Sequence, residues 1–188
     1  MSQADLLQRV IAELERAGIP FMISGSVASG YHGESRSTYD IDIVIDADTS
    51  QVASFISGLT DSCYVSLAAA QDAVQRRAMF NVIDLENGIK VDLILRKARA
   101  FSVEEFQRRE RAVISGVEAF VVTAEDCILS KLEWSQLGES ERQFRDALRI
   151  AELSKKPGGL DLPYLQHWAK ELKIEGLLER LLSEAGLA

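Results

Sequence analysis

Apolar residues first recur at helical spacing. Leu6, Leu7, Val10, Ile11 and Leu14 share a face, Ser2 or Asp5 caps the start, and Gly18 then Pro20 end the run. The period then changes. Phe21-Met22-Ile23 predicts a short buried strand leading into Gly25-Ser26, and Val27 to Tyr31 one or two helical turns closed by Gly30 and Gly33. From Asp40 to Asp46 the pattern alternates, so Ile41, Ile43 and Ile45 lie on one face and Asp40, Asp42, Val44 and Asp46 on the other. Residues 49–60 predict a helix with Val52, Phe55, Ile56 and Leu59 inward. Cys63 to Ser66 follows as a strand, and Ala68 to Arg76 as a helix or loop.

Phe80 to Ile83 and Ile89 to Leu95 read as strands, and the turn residues Glu86-Asn87-Gly88 between them predict antiparallel pairing. Ser102 with Glu105 forms a capping-box pattern that opens a helix to about residue 112. One more short strand, Glu118 to Val122, precedes a helix capped by Thr123 with Asp126, and then a helix from Glu139 to Leu153. Lys156-Pro157-Gly158-Gly159 reads as a linker, and two amphipathic leucine-rich helices follow it. The expected fold class is α/β (α+β): a mixed sheet flanked by helices over residues 1–123, then a helical lobe over 124–188.

The chain has 188 residues, 47% hydrophobic and 27% charged, enough for one good core with an appended lobe. The charged N-terminus lacks a signal peptide's apolar stretch, and no run is long enough to span a bilayer. Cys63 and Cys127 match neither a redox nor a zinc spacing, so a cytoplasmic, reduced setting is expected. A net charge of −8 argues against a general nucleic-acid coat protein. It leaves room for a local basic pocket drawn from Arg36, Lys90, Arg96, Lys97, Lys131, Arg142 and Arg145.

Asp40 and Asp42 stand two apart on one strand, so both carboxylates project the same way and can share Mg²⁺, a hard cation that prefers oxygen ligands. Asp92 interrupts the apolar run Val91-Asp92-Leu93-Ile94-Leu95, where an unpaired buried acid is costly. On an adjacent strand at similar height it completes a cluster for one or two ions, or accepts a proton from an attacking hydroxyl. Glycine lets the Gly25 backbone approach a phosphate, and Ser26 offers its N–H and hydroxyl at a helix start. This is equipment for in-line attack of an acceptor on the α-phosphorus of an NTP. Taken singly, each part has a plainer reading: a turn, or a solvated sheet face, which is the reading for Asp46. His32 reads as a satisfied or solvated loop residue and His167 as structural. Trp134, Trp168 and Phe144 read as core of the helical lobe.

Gly25-Ser26, thirteen residues, then Asp40-Ile41-Asp42-Ile43 resembles the signature of the DNA polymerase beta-like nucleotidyltransferases, and Asp92 in Lys90-Val91-Asp92-Leu93 matches their third acid. Gly33-Glu34-Ser35-Arg36-Ser37-Thr38-Tyr39-Asp40 is similar to the loop of AbiEii-type toxin-like members. Thr123 to Asp126, Lys131-Leu132, Arg142 and Arg145-Asp146 resemble their helical part. The second glycine of the common Gly-Gly form is Ser26 here. The resemblance implies an NTP substrate with Mg²⁺, Lys131 and Arg36 near the triphosphate, and Asp146 in the same cleft. From residues alone, Lys131 is equally a solvated helix residue, and Asp146 the partner of Arg142 at i, i+4. The implied reaction is transfer of NMP to a protein, RNA or small-molecule acceptor, with a macromolecule favoured and an antitoxin as partner. The alternatives are an aminoglycoside- or lincosamide-type antibiotic nucleotidyltransferase, or a non-catalytic binding module of this fold.

Overall fold

The computed structural model describes residues 2–33, 40–59, 62–154 and 159–187. Arg36, with the rest of residues 34–39 of the toxin-like loop, and most of the predicted linker lie outside them.

Helix α1 (Gln3–Arg16) is set by a reciprocal capping box between Ser2 and Asp5, and its leucine-rich stripe is buried. Strand β1 (Phe21–Ser24) passes directly into α2 (Gly25–His32), and β2 (Asp40–Ile45) alternates as its sequence predicts, with Ile41, Ile43 and Ile45 buried. Helix α3 (Thr49–Gly58) starts at an Asp48–Gln51 capping box. The chain continues through β3 (Cys63–Tyr64), α4 (Leu67–Arg76), β4 (Met79–Asp84) and β5 (Lys90–Leu95), the last two paired antiparallel as expected.

The predicted helix from Ser102 to about 112 is shorter and differently capped. Helix α5 (Ala100–Gln107) has Arg99 at its N-cap without a side-chain cap bond, and Ser102 Oγ instead accepts from Arg99 Nε at 3.0 Å. The chain then enters a strand that the sequence reading lacked, β6 (Glu110–Ile114), hairpinned to β7 (Val117–Val121) through Ser115 and Gly116, both at positive φ. Two left-handed residues in a two-residue loop match the right-handed twist of the flanking strands. The arginine-rich run hides this strand because its apolar face is short.

The described strands form one mixed seven-stranded sheet, ordered β3-β4-β5-β2-β1-β7-β6, with β2 parallel to β5 and β1 parallel to β7. Helix α6 (Ala124–Gly138), capped by Thr123, is followed by α7 (Glu141–Leu153), α8 (Leu162–Leu172) and α9 (Glu175–Glu184). Two compact units result. One holds residues up to Ser26 and the chain from β2 through Val121; the other holds the remainder of α2 with everything described from Val122 onward. Among the described residues no helix is long and apolar enough to cross a membrane.

Candidate active site

Strand pairing lines up four residues across the sheet. Ser24 faces Asp42, Asp42 faces Asp92, and Asp92 faces Asn81. Cross-strand partners share a face of the sheet, so this row presents its side chains together. One row away, Asp40 faces Lys90. Asp40 and Asp42 are on the same side of β2, as are Lys90 and Asp92 on β5, because side chains repeat every second residue. Three sequence-predicted acids are therefore neighbours on two adjacent parallel strands.

Their electrostatic setting was not foreseen. Lys90 Nζ lies 3.3 Å from Asp92 Oδ2 and 3.7 Å from Asp40 Oδ1. Asn81 Nδ2 donates to the other oxygen of Asp92, Oδ1. The Asp92 side chain is 11% exposed, against 58% for Asp40. Burial pulls the Lys90 ammonium pKa down, but the bond to Asp92 and the charges of Asp92, Asp40 and Asp42 more than offset it, leaving a net upward shift. Lys90 thus sits on the acids rather than in a phosphate pocket. Arg96 likewise bonds Asp46 at 2.7 Å, so Asp46 is an ion-pair partner rather than a merely solvated acid. Among the described residues, no three His, Cys, Asp or Glu side chains are gathered as a ready metal cage.

Gly25 carries the chain from β1 into α2 at φ +61. A Cβ there would come within 1.9 Å of Asp42 Oδ2 and 2.6 Å of Asp42 Cγ. Both the backbone angle and the neighbouring carboxylate therefore demand glycine. The same close approach brings the start of α2, with Ser26, to the edge of the acid row.

Lys131 and Asp146 belong to the helical unit, where Nζ meets Oδ2 at 3.1 Å with side chains 6% and 14% exposed. Lys131 is therefore not a solvated helix residue, and Asp146 has Lys131 as a partner, beyond the i, i+4 pairing with Arg142 that its spacing suggests. Nearby, Tyr164 Oη and Thr123 Oγ1 both donate to the fully buried Asp126 carboxylate. His32 Nε2 contacts the Val122 carbonyl at 2.6 Å, so it is satisfied. Phe144 is core, but Trp134 is 59% exposed and is not.

Asn81 is the residue that sequence reasoning passed over. Its signal was present, since folding the hairpin about Glu86-Asn87-Gly88 sets an amide opposite Asp92.

No family model and no curated protein matches the sequence. Among solved structures, an antigenic nucleotidyltransferase-like protein from Paracoccidioides brasiliensis superposes with a TM-score of 0.61 at 15% identity, over 98% of this chain and 90% of that one. The antibiotic-resistance factor ANT(2'')-Ia does so with a TM-score of 0.54 at 12% identity, over 98% and 93%. The lincosamide antibiotic adenylyltransferase LnuA, with lincomycin bound, gives 0.51 at 13% identity, over 80% and 96%. The chain therefore has the nucleotidyltransferase fold.

Proposed function

We propose that the chain transfers a nucleoside monophosphate from an NTP to an acceptor hydroxyl or phosphate. The observation that carries this reading is the row across β1, β2 and β5: Asp42 beside Asp92 in register, with the Gly25 backbone against the Asp42 carboxylate. The donor set suits a hard divalent cation, being carboxylate oxygens from adjacent strands, and the Lys90 ammonium already marks two of them as cation-binding. Asp40, Asp42 and Asp92 would hold Mg²⁺, as one ion or two, and the bound metal would neutralise triphosphate charge.

The protein's own groups do the rest. The N–H groups of Gly25 and Ser26, with the Ser26 hydroxyl, receive phosphate oxygens at the start of α2. An acceptor oxygen bonds to the α-phosphorus, its proton passes to Asp92, and the bond to the bridging oxygen breaks to release pyrophosphate. Arg36, Lys131 and Asp146 enter as nucleotide contacts on the resemblance alone.

The sequence of the Gly33–Tyr39 loop favours the toxin-like branch, hence a protein or RNA acceptor and an antitoxin partner. A second reading, a cationic small-molecule acceptor, is supported by the end-to-end correspondence with ANT(2'')-Ia, a protein also solved in complex with adenylyl-2''-tobramycin. The net charge of −8 suits such an acceptor. The test is incubation of α-labelled NTPs and Mg²⁺ with protein, RNA and aminoglycoside acceptors. Label should appear on one class, and Asp42→Asn should lower transfer by about a hundredfold or more, the scale of a single preorganised electrostatic contact. Absence of both transfer and NTP-dependent thermal stabilisation favours the non-catalytic binding module.

A further inference from the structure

Lys90 lies between two carboxylates that the proposed reaction needs for another cation. Its ammonium is within 3.3 Å of Asp92 Oδ2 and 3.7 Å of Asp40 Oδ1, while Asn81 engages Asp92 Oδ1. A divalent ion coordinated by Asp92 would stand about 2.1 Å from its oxygen. An ammonium held at the same oxygen would then face it at short range, and like charges so close repel strongly. Lys90 has somewhere to go, since its side chain is 35% exposed and ends a flexible four-carbon stem. Asn81, being neutral, has no such conflict and can keep its bond in either state.

We propose that Lys90 is a built-in counter-ion for the acid row, holding Asp40 and Asp92 together when no metal is bound and giving way when a divalent cation arrives. This rests on the metal-site reading above. Lys90 acts through the acids, as a positioning residue, and it sets how tightly they take metal. In its absence the carboxylates repel one another more strongly, so the metal-free protein loses stability and gains affinity for a cation.

The test compares the full-length wild type, Lys90→Met and Asp42→Asn by Mn²⁺ titration, with free Mn²⁺ read by electron paramagnetic resonance. Lys90→Met should melt lower than wild type in EDTA, show a larger rise in melting temperature with Mn²⁺, and have a Mn²⁺ dissociation constant lower by about tenfold. A purely structural lysine would not tighten metal binding. Equal or weaker Mn²⁺ binding by folded Lys90→Met, with binding still lost in Asp42→Asn, overturns the role of Lys90 alone. Failure of Mn²⁺ to bind wild type, or undiminished binding by Asp42→Asn, overturns the metal site and this proposal with it. A measurement on the unmutated protein avoids any folding defect: amine acetylation of Lys90, read by peptide mass spectrometry, should run several times faster with saturating Mg²⁺ than in EDTA. Equal or slower acetylation overturns the displacement.

Discussion

Two lysine–carboxylate arrangements in this molecule look alike on paper and differ in kind. In the helical unit, Lys131 and Asp146 meet with both side chains nearly enclosed. In the sheet unit, Lys90 is shared between Asp40 and Asp92, with Asp42 beside them and the exposure rising from Asp92 outward to Asp40. An enclosed pair between neighbouring helices braces them against each other. A lysine shared between acids that emerge into solvent holds charge that a ligand can reorganise. Burial, more than residue type, sets the two arrangements apart.

The sharpest way to break that contrast is to remove one partner of the enclosed pair. Lys131→Met should cost about 1–3 kcal/mol in chemical denaturation, because it removes a charge-assisted hydrogen bond from the half-buried Asp146 carboxylate. Adding Asp146→Leu should restore most of that loss. If the folded double variant also loses NTP-dependent stabilisation, the proposed nucleotide contact through Lys131 and Asp146 gains and the contrast collapses.

Gly25→Ala probes the sheet unit. A methyl group would meet the Asp42 carboxylate at a positive φ, so a stability loss of about 1–3 kcal/mol is expected, the cost of a strained non-glycine residue. Nucleotidyl transfer should fall with it. Unchanged melting and transfer would mean that the β1–α2 turn does not press on the acid row.

A third pair of variants sharpens the comparison through neutral donors. Tyr164→Phe removes one donor to the buried Asp126 and should cost about 1–2 kcal/mol without changing transfer. Asn81→Ala should do the reverse, with little change in melting but transfer down by about tenfold, as for a group that orients the carboxylate proposed to hold metal. The smallest effect belongs to a cap. Asp48 has its pKa lowered from the usual 3.8, first by the Gln51 backbone N–H and then by the Ser50 hydroxyl. Its contribution is therefore full above 3.8 and fades as pH falls through the lowered value. Asp48→Ala should melt slightly below wild type at pH 7, and the two should converge as pH falls through the lowered Asp48 value.

Much of this could be read along the chain. The alternation from Asp40 to Ile45, the hairpin about Gly88, and the stripes of α1, α7 and α8 follow from local periodicity, which a strand or helix expresses wherever it packs. The candidate acids were legible for the same reason, since a carboxylate that recurs every second residue or interrupts an apolar run declares a face. The failures were of another sort. Strand β6 was lost among arginines, since only its hairpin to β7 makes it a strand. Trp134 sat at helical spacing with leucines, yet the helix turns it outward.

By itself, then, the sequence determined the elements, the faces on which Asp40, Asp42 and Asp92 lie, and the glycine turn that precedes them, because these depend on the periods of helix and strand. Only the tertiary structure decided that β2 and β5 run parallel with Asp42 and Asp92 in register, that Gly25 touches Asp42, and that Lys90 and Asn81 close on Asp92 while Lys131 closes on Asp146. Those facts depend on which strand lies beside which and at what offset. That choice is made by packing between segments far apart in the chain, and no local pattern encodes it.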